Sequence, residues 1–364
     1  MDQEDPMLVR LIDRILFARD HQAPLDIRGG GTKVFYGEPA RGEPLDVSGL
    51  AGISSYEPTE LVVTVRAGTR LADLEAALAE HGQCLPFEPP RFAAGGTVGG
   101  MVAAGLSGPA RATVGSVRDH VLGVTLLNGR GEILTFGGQV AKNVAGYDVS
   151  RLIAGSLGIL GVICEVSLKV LPINRATATL YFDWDERRAL EQLNVWRSQP
   201  LPVNASAWHD GRLHVRLAGA AAAVSAACGK LEGAMVAPDA ATAWWLGLRD
   251  QTQEFFSIDA AGLARGECLW RLSVPAAAAP VQLPGRQVIE WHGAERWWRT
   301  TSDARVVRAA AAQSGGHATL IRGADKSAGV FTPLSTVLMR IHRGLKQAFD
   351  PACVLNPGRL YAEL

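Results

Sequence analysis

The sequence predicts an α+β protein built as a glycine-rich domain followed by a smaller α+β layer. Three observations predict it. Forty glycines are clustered beside short strands, which suggests backbone brought close to a ligand. Composition changes after Pro172. Between residues 177 and 231 the pattern then runs strand, helix, strand, strand, helix, an order that places helices on an antiparallel sheet.

The elements of the first half follow in order. Residues 7–18 carry apolar side chains at helical spacing and read as an amphipathic helix. Residues 25–28 form a short strand that runs straight into a glycine turn. A β-branched strand covers 61–65. Thr69 is placed to cap a helix over 71–81, with Gly82 just past its end. Residues 95–108 are mostly small. Strands over 121–127 and 132–135 flank Asn128-Gly129, a hairpin turn signal. A strand over 162–170 ends at Leu171-Pro172.

In the second half a strand over 177–182 and a helix over 186–197 come first. Strands over 203–208 and 213–217 flank Asp210-Gly211, a two-residue hairpin turn. An alanine-rich helix covers 220–231, which completes a ferredoxin-like order. Strands near 269–274 and 287–291, a helix over 304–313 and a strand over 318–321 follow. A last helix over 334–349 precedes an extended tail.

Composition excludes several classes. Lys+Arg and Asp+Glu are equal at 36 each, so nothing electrostatic favours nucleic acid or an anionic membrane as partner. Cys84, Cys164, Cys228, Cys268 and Cys353 form no CxxC, which argues against a disulfide framework and against a zinc or iron–sulfur site in this chain. A reduced, cytoplasmic compartment is the expectation. The N-terminus opens acidic, unlike a secretory signal. No apolar run reaches membrane-spanning length.

Histidine spacing points away from a metal as well. No two of the eight histidines stand two residues apart. His209 and His214 flank the Asp210-Gly211 turn on one face of the hairpin, where they read as exposed residues. No metal site is assigned. The pairs Trp244-Trp245 and Trp297-Trp298 read as core; exposed, they would mark a subunit contact.

Three glycine clusters carry the chemistry. In the first, Arg28-Gly29-Gly30-Gly31-Thr32-Lys33, a strand enters three glycines whose N–H groups can form a nest for phosphate oxygens. The alternative is a flexible turn. A dinucleotide-type loop does not fit, since no helix follows, and a Walker loop fails because Val34 follows Lys33. In the second, Gly95-Gly96-Thr97-Val98-Gly99-Gly100 and then Gly105, Thr97 caps a short helix whose first N–H groups would face an anion. Close helix packing is the alternative. The third runs from Gly146-Tyr147-Asp148 to Gly155, Gly158, Gly161, Val162 and Ile163. A strand edge there can bond a heteroaromatic ring, although alone the pattern reads as a tight turn into a core strand.

In order and spacing these clusters resemble the FAD-linked oxidases of the vanillyl-alcohol oxidase family, with their PCMH-type FAD-binding domain. The matching stretches are RGGGT, GGTVGG with Arg111, Gly115 and Asp119 after it, KNVAGYD…GSLGILGV, and the closing FDPACVLNPGR. The resemblance implies a two-subdomain FAD domain over 1–174, divided near 50, a cap over 175–330, and a tail, 331–364, returning to the first domain. It also implies FAD pyrophosphate on Gly29–Thr32 and on the second cluster, with ring and adenine near Gly155–Ile163. Thr32 stands where covalently linked members often have His, so FAD is expected to be non-covalent.

Within the family the motifs are similar to those of an FAD-binding subunit of bacterial glycolate oxidase. Such a subunit works with a catalytic flavoprotein subunit and an iron–sulfur subunit on a small 2-hydroxy acid, glycolate. Any attachment to the inner face of the cytoplasmic membrane would run through those partners. Self-sufficient members carry H-x-H and G-D-G-N stretches, which this chain lacks, and polar residues where it has Leu157 and Ile159. Catalytic residues stay unassigned. Arg111, Arg118, Arg322 and Arg359 are candidate carboxylate anchors, and His120 is a candidate base. Two other readings stay open: a self-sufficient FAD-linked 2-hydroxy acid dehydrogenase, and a scaffold that has lost its flavin.

Overall fold

The computed structural model describes residues 5–138 and 149–364. The KNVAGYD part of the third motif lies outside the described residues.

The first helix, Pro6–His21, starts where Asp5 accepts from the N–H of Met7 and of Leu8, with Pro6 in its first turn. Its inner face, Leu8, Leu11, Ile15 and Ala18, recurs at helical spacing. That face packs with Leu25 and Leu45 of a parallel pair, Leu25–Arg28 beside Glu43–Asp46, and with Val354 and Leu355 of the tail.

A second layer is antiparallel. Among the described residues its strands run Ile53–Glu57, Val62–Arg66, Val162–Lys169, Val121–Leu127, Ile133–Gly137. All seven residues of Val121–Leu127 are buried, so this strand has no solvent face. Thr69 does not cap the next helix, Leu71–Glu80. Arg70 holds the cap position, and Thr69 Oγ1 is spent on the backbone of Gly52. That long-range bond outcompetes the local one.

The C-terminal half builds a wider sheet than the ferredoxin-like order alone. Among the described residues it has eight strands: Ala234–Met235, Ala176–Asp183, Arg212–Gly219, Val203–His209, Arg286–Glu290, Glu295–Thr300, Cys268–Ser273, His317–Arg322. Glu295–Thr300 gave no sequence signal because both of its faces are covered. Trp297 faces Tyr36, Ala104 and Leu106 of the glycine-rich domain, while Trp298 faces the helix Ala304–Gln313. A strand buried on both sides loses its alternation.

That packing settles the tryptophans. Trp245, Trp297 and Trp298 are core, and Trp244 stacks on His214 at 4.1 Å. They form no exposed patch. His209 and His214 take separate partners, Gln287 O at 3.0 Å for His209 and Trp244 for His214. The two halves are further joined by Arg216 to Glu88 at 2.7 Å and by Arg249 to Glu75 at 3.8 Å. The last helix, Thr336–Phe349, is followed by a tail that returns to Leu25–Arg28, where Leu25 N donates to Val354 O at 2.7 Å. Among the described residues no helix is long and apolar enough to cross a membrane.

Candidate flavin site

The first glycine turn is held by what stands behind it. A Cβ on Gly29 would lie 2.3 Å from Thr97 Oγ1, and one on Gly30 only 1.4 Å from Gly95 O. Gly31 has φ 67° and open space around it. Close approach therefore requires the first two glycines, and left-handed backbone favours the third. Among the described residues no N–H from Gly29 through Lys33 donates to a protein acceptor. These donors line the same cleft as Lys33. Lys33 has no carboxylate partner among the described residues, and burial pushes its ammonium down to about 8.

Thr97 caps the helix Val98–Ala104, accepting from Gly100 N at 3.2 Å. The first-turn donors are spent inside the protein: Val98 N on Thr69 O and Gly99 N on Ala67 O. What this helix presents to the cleft is therefore a small surface, Gly99, Gly100, Ala103 and Ala104, and not the free N–H groups expected from its sequence. Gly95 and Gly96 stand behind the first turn, with Gly95 against Gly30 and Gly96 close to Thr32.

The third cluster closes the far side. Gly155 N donates to Val102 O at 3.0 Å and Leu157 N to Ala103 O at 2.9 Å, so the turn takes up carbonyls at the end of the small-residue helix. Gly105 ends that helix at φ 64°, and a Cβ on it would meet Gly155 Cα at 2.9 Å. A Cβ on Gly158 would lie 2.7 Å from Asn356 Nδ2, and one on Gly161 2.8 Å from Leu127 O. Leu157, Gly158, Gly161 and Ile163 line the cleft, whereas Val162 packs into the core under the first helix.

The cleft encloses about 940 Å³, its open mouth included. Arg28 and Thr32 also line it, with Arg28 paired to Asp26 at 2.5 Å. Arg111, Gly115, Asp119 and His120 do not line it. The Arg111 guanidinium lies 4.4 Å over the Trp291 ring. Asp119 accepts from Ser116 N and Ser116 Oγ, each at 2.8 Å, beside Gly115 at φ 93°. His120 is buried, donates from Nε2 to Val114 O at 2.9 Å, and is pushed down by that burial. Arg322 stacks 4.1 Å over Phe35 outside the cleft, and burial lowers it. Arg359 lines the cleft but donates to Val34 O at 3.0 Å and to Glu38 O, which clamps the loop after the glycine turn.

Two groups at or beside the cleft went unread in the sequence. Asn356 Oδ1 accepts from Ile27 N at 2.7 Å, and its Nδ2 donates to Leu157 O at 2.6 Å, so one side chain ties the first strand to the third cluster. Lys346 Nζ donates to Ile159 O at 2.8 Å, Leu355 O at 2.7 Å and Asp350 Oδ2 at 2.8 Å. The Asn-Pro-Gly run of the tail was the available signal for Asn356. Open N–H donors, an ammonium with no carboxylate partner among the described residues and a floor of glycine and alanine together fit a flat cofactor that carries a pyrophosphate.

Fold and site define a class, the FAD-linked oxidoreductases. Residues 10–137 match the family model of an FAD binding domain. The fold is shared with a solved alkyldihydroxyacetonephosphate synthase, at a TM-score of 0.65 and 15% identity over 95% of this chain and 74% of that one. The chain belongs to the family of the glycolate oxidase subunit GlcE. It is 45% identical to GlcE of Escherichia coli (strain K12) over 97% of each chain. It is also 33% identical to the glycolate oxidase subunit GlcD of Bacillus subtilis (strain 168), over 46% of this chain and 36% of that one. A D-lactate dehydrogenase of Anaerostipes hadrus is 32% identical over 40% of this chain and 30% of its own length.

Proposed function

We propose that this chain is the FAD-binding subunit of a glycolate-oxidising complex. The observation that carries the reading is the unspent N–H run from Gly29 to Lys33, beside a lysine with no carboxylate partner among the described residues. FAD sits here non-covalently, its pyrophosphate on Gly29–Thr32 and its ring toward Gly155–Ile163. When bound, FAD supplies the reversible uptake of electrons that no side chain of the protein offers.

The chain's own residues bind and shape. Lys33 offsets phosphate charge. Arg359 and Asn356 fix the loop and the third cluster at the required spacing, and Tyr36, Ala103 and Leu157 make an apolar wall that limits water. Of the candidate anchors and base, Arg359 is engaged with backbone carbonyls, Arg322 with Phe35 and Arg111 with Trp291, His120 is in the core, and Arg118 is exposed and does not line the cleft. The chain is therefore inactive alone toward glycolate. A partner flavoprotein supplies the groups that hold the 2-hydroxy acid, and an iron–sulfur partner accepts the electrons. The complex works in the cytoplasm, and contact with the membrane runs through its partners.

The test is anaerobic stopped-flow mixing of purified chain with glycolate or D-lactate, after its absorption spectrum has been taken. An FAD spectrum without bleaching is expected, with the yellow colour released into the supernatant by acid. Rapid bleaching by either acid promotes the self-sufficient dehydrogenase. A colourless protein that takes up no added FAD promotes the scaffold.

A further inference from the structure

We propose that the outer face of the helix Thr336–Phe349 is the docking surface for the partner flavoprotein subunit, which meets it with an apolar groove rimmed by carboxylates. The inference rests on the reading of the chain as one subunit of a complex.

One side of the helix packs Met339, Leu345 and Phe349 against the core, and the other side is bare. Of its fourteen residues only Lys346 is buried. Val337, Leu338 and Ile341 are 58%, 45% and 52% exposed. At 100° per residue, Val337 and Ile341 fall on one line with Gly344 and Ala348, and Leu338 flanks it. Among the described residues Met235 and Leu246 line one pocket together; here three large exposed apolar side chains fall within five positions. Of the tryptophan pairs, the other candidates for such a patch, Trp245, Trp297 and Trp298 are core and Trp244 is covered by His214.

Charge sets the chemistry of the occupant. The helix contains no Asp or Glu; Arg340 flanks the apolar line, and Arg343, exposed too, lies one step further round the helix. Beside it runs a groove lined by Arg41, Leu334, Met339, Arg340 and Arg343. Of its two carboxylates, Glu38 already accepts from Val330 N at 2.5 Å, which leaves Glu363. An apolar stripe with a basic rim is complemented by an apolar groove with an acidic one. An anionic membrane is a poorer fit. The stripe exposes no large aromatic residue, its cations are few, and the chain's formal charge is zero.

The position also matters. The inner side of this helix carries Lys346, whose ammonium holds Ile159 O and Leu355 O, the chain neighbours of the cleft-lining Gly158 and Asn356. A partner seated on the outer side thus leans on a helix tied to the residues next to the cleft.

The experiment co-expresses the full chain, tagged, with the GlcD-type flavoprotein subunit of the same cells. The variants are Val337→Glu with Ile341→Glu, and Arg340→Glu with Arg343→Glu. Each should lower co-purified flavoprotein by about tenfold or more, the loss of a buried anchor or of a facing charge. FAD per chain and the circular dichroism spectrum should stay unchanged. Undiminished capture of the flavoprotein by both variants overturns the proposal and leaves the subunit reading intact. If the unaltered chain captures no flavoprotein, the subunit reading fails and takes the proposal with it. Two further results overturn it by naming another occupant. One is a dimer of the isolated chain dispersed by Ile341→Glu. The other is flotation of the isolated chain with phosphatidylserine vesicles that Ile341→Glu abolishes.

Discussion

Gly30 turns its Cα toward the carbonyl of Gly95, so closely that a Cβ on Gly30 would lie 1.4 Å from that oxygen. The two glycine clusters, far apart in sequence, are thus one wall. Gly30→Ala must push the Gly95 loop away. Forced overpacking costs about 1–3 kcal/mol, or roughly 5- to 150-fold in FAD affinity if the cost falls on the holo geometry. Gly31→Ala meets open space and is penalised only by its φ of 67°, so it should lose affinity by a smaller factor. Flavin fluorescence titration of the two apoproteins checks the order. Gly30→Asp should empty the site too, through the clash of its Cβ and not through charge in the cleft.

Lys33 should give FAD binding a pH dependence. Burial favours the neutral amine and brings its value down to about 8. Below that pH the ammonium is present to meet a phosphate; above it the free protein must take up a proton to bind. Affinity should fall as pH rises through about 8. Lys33→Met should bind more weakly at pH 7, by about 1.5–3 kcal/mol for a lost charged hydrogen bond, and its affinity should lose that pH dependence. A parallel fall in both proteins would assign the effect to another group.

Lys346 and Asp350 form a buried pair, 3% and 0% exposed, that joins the last helix to Ile159 and Leu355. Lys346→Met leaves Asp350 unpaired and Ile159 O and Leu355 O without their donor. Removing one partner of a buried pair costs about 3–5 kcal/mol. The thermal midpoint should drop sharply, and the double variant Lys346→Met with Asp350→Leu should be less destabilised than the two single losses summed. Strict additivity would mean that the pair is not coupled.

Glu290 and Glu295 face each other at paired positions of a hairpin, both buried. Burial and then the neighbouring carboxylate push Glu290 well up, and burial pushes Glu295 to about 8 against the pull of Arg271, 3.9 Å away. The folded protein therefore holds protons that the unfolded chain releases near 4.5. Stability should fall as pH rises from about 4.5 through about 8, where Glu295 ionises in the folded protein. Glu295→Gln should flatten that slope and gain on the order of 1–3 kcal/mol over the parent at pH 8. Urea unfolding at pH 5 and pH 8 measures both. An unchanged slope would mean that the pair does not share this burden.

The sequence by itself determined the features that rest on near neighbours. Gly29-Gly30-Gly31 was legible because few residues tolerate that backbone, and the helix Glu186–Arg197 and the Asp210-Gly211 hairpin because spacing and turn chemistry act within a few positions. The tertiary structure alone decided which donors stay free. Thr69 O and Ala67 O take the N–H groups that Thr97's helix would otherwise offer, which leaves the Gly29–Lys33 loop as the run with unspent donors beside the cleft. It also set the tail: Asn356 reaches Ile27 across 329 positions, and Lys346 reaches Ile159 across 187. Such bonds leave no periodicity and no turn signature, because their partners meet only once the sheets have packed. The strand Glu295–Thr300 was hidden for the opposite reason. Packing covers both its faces, and with no solvent side the polar–apolar alternation that marks a strand disappears.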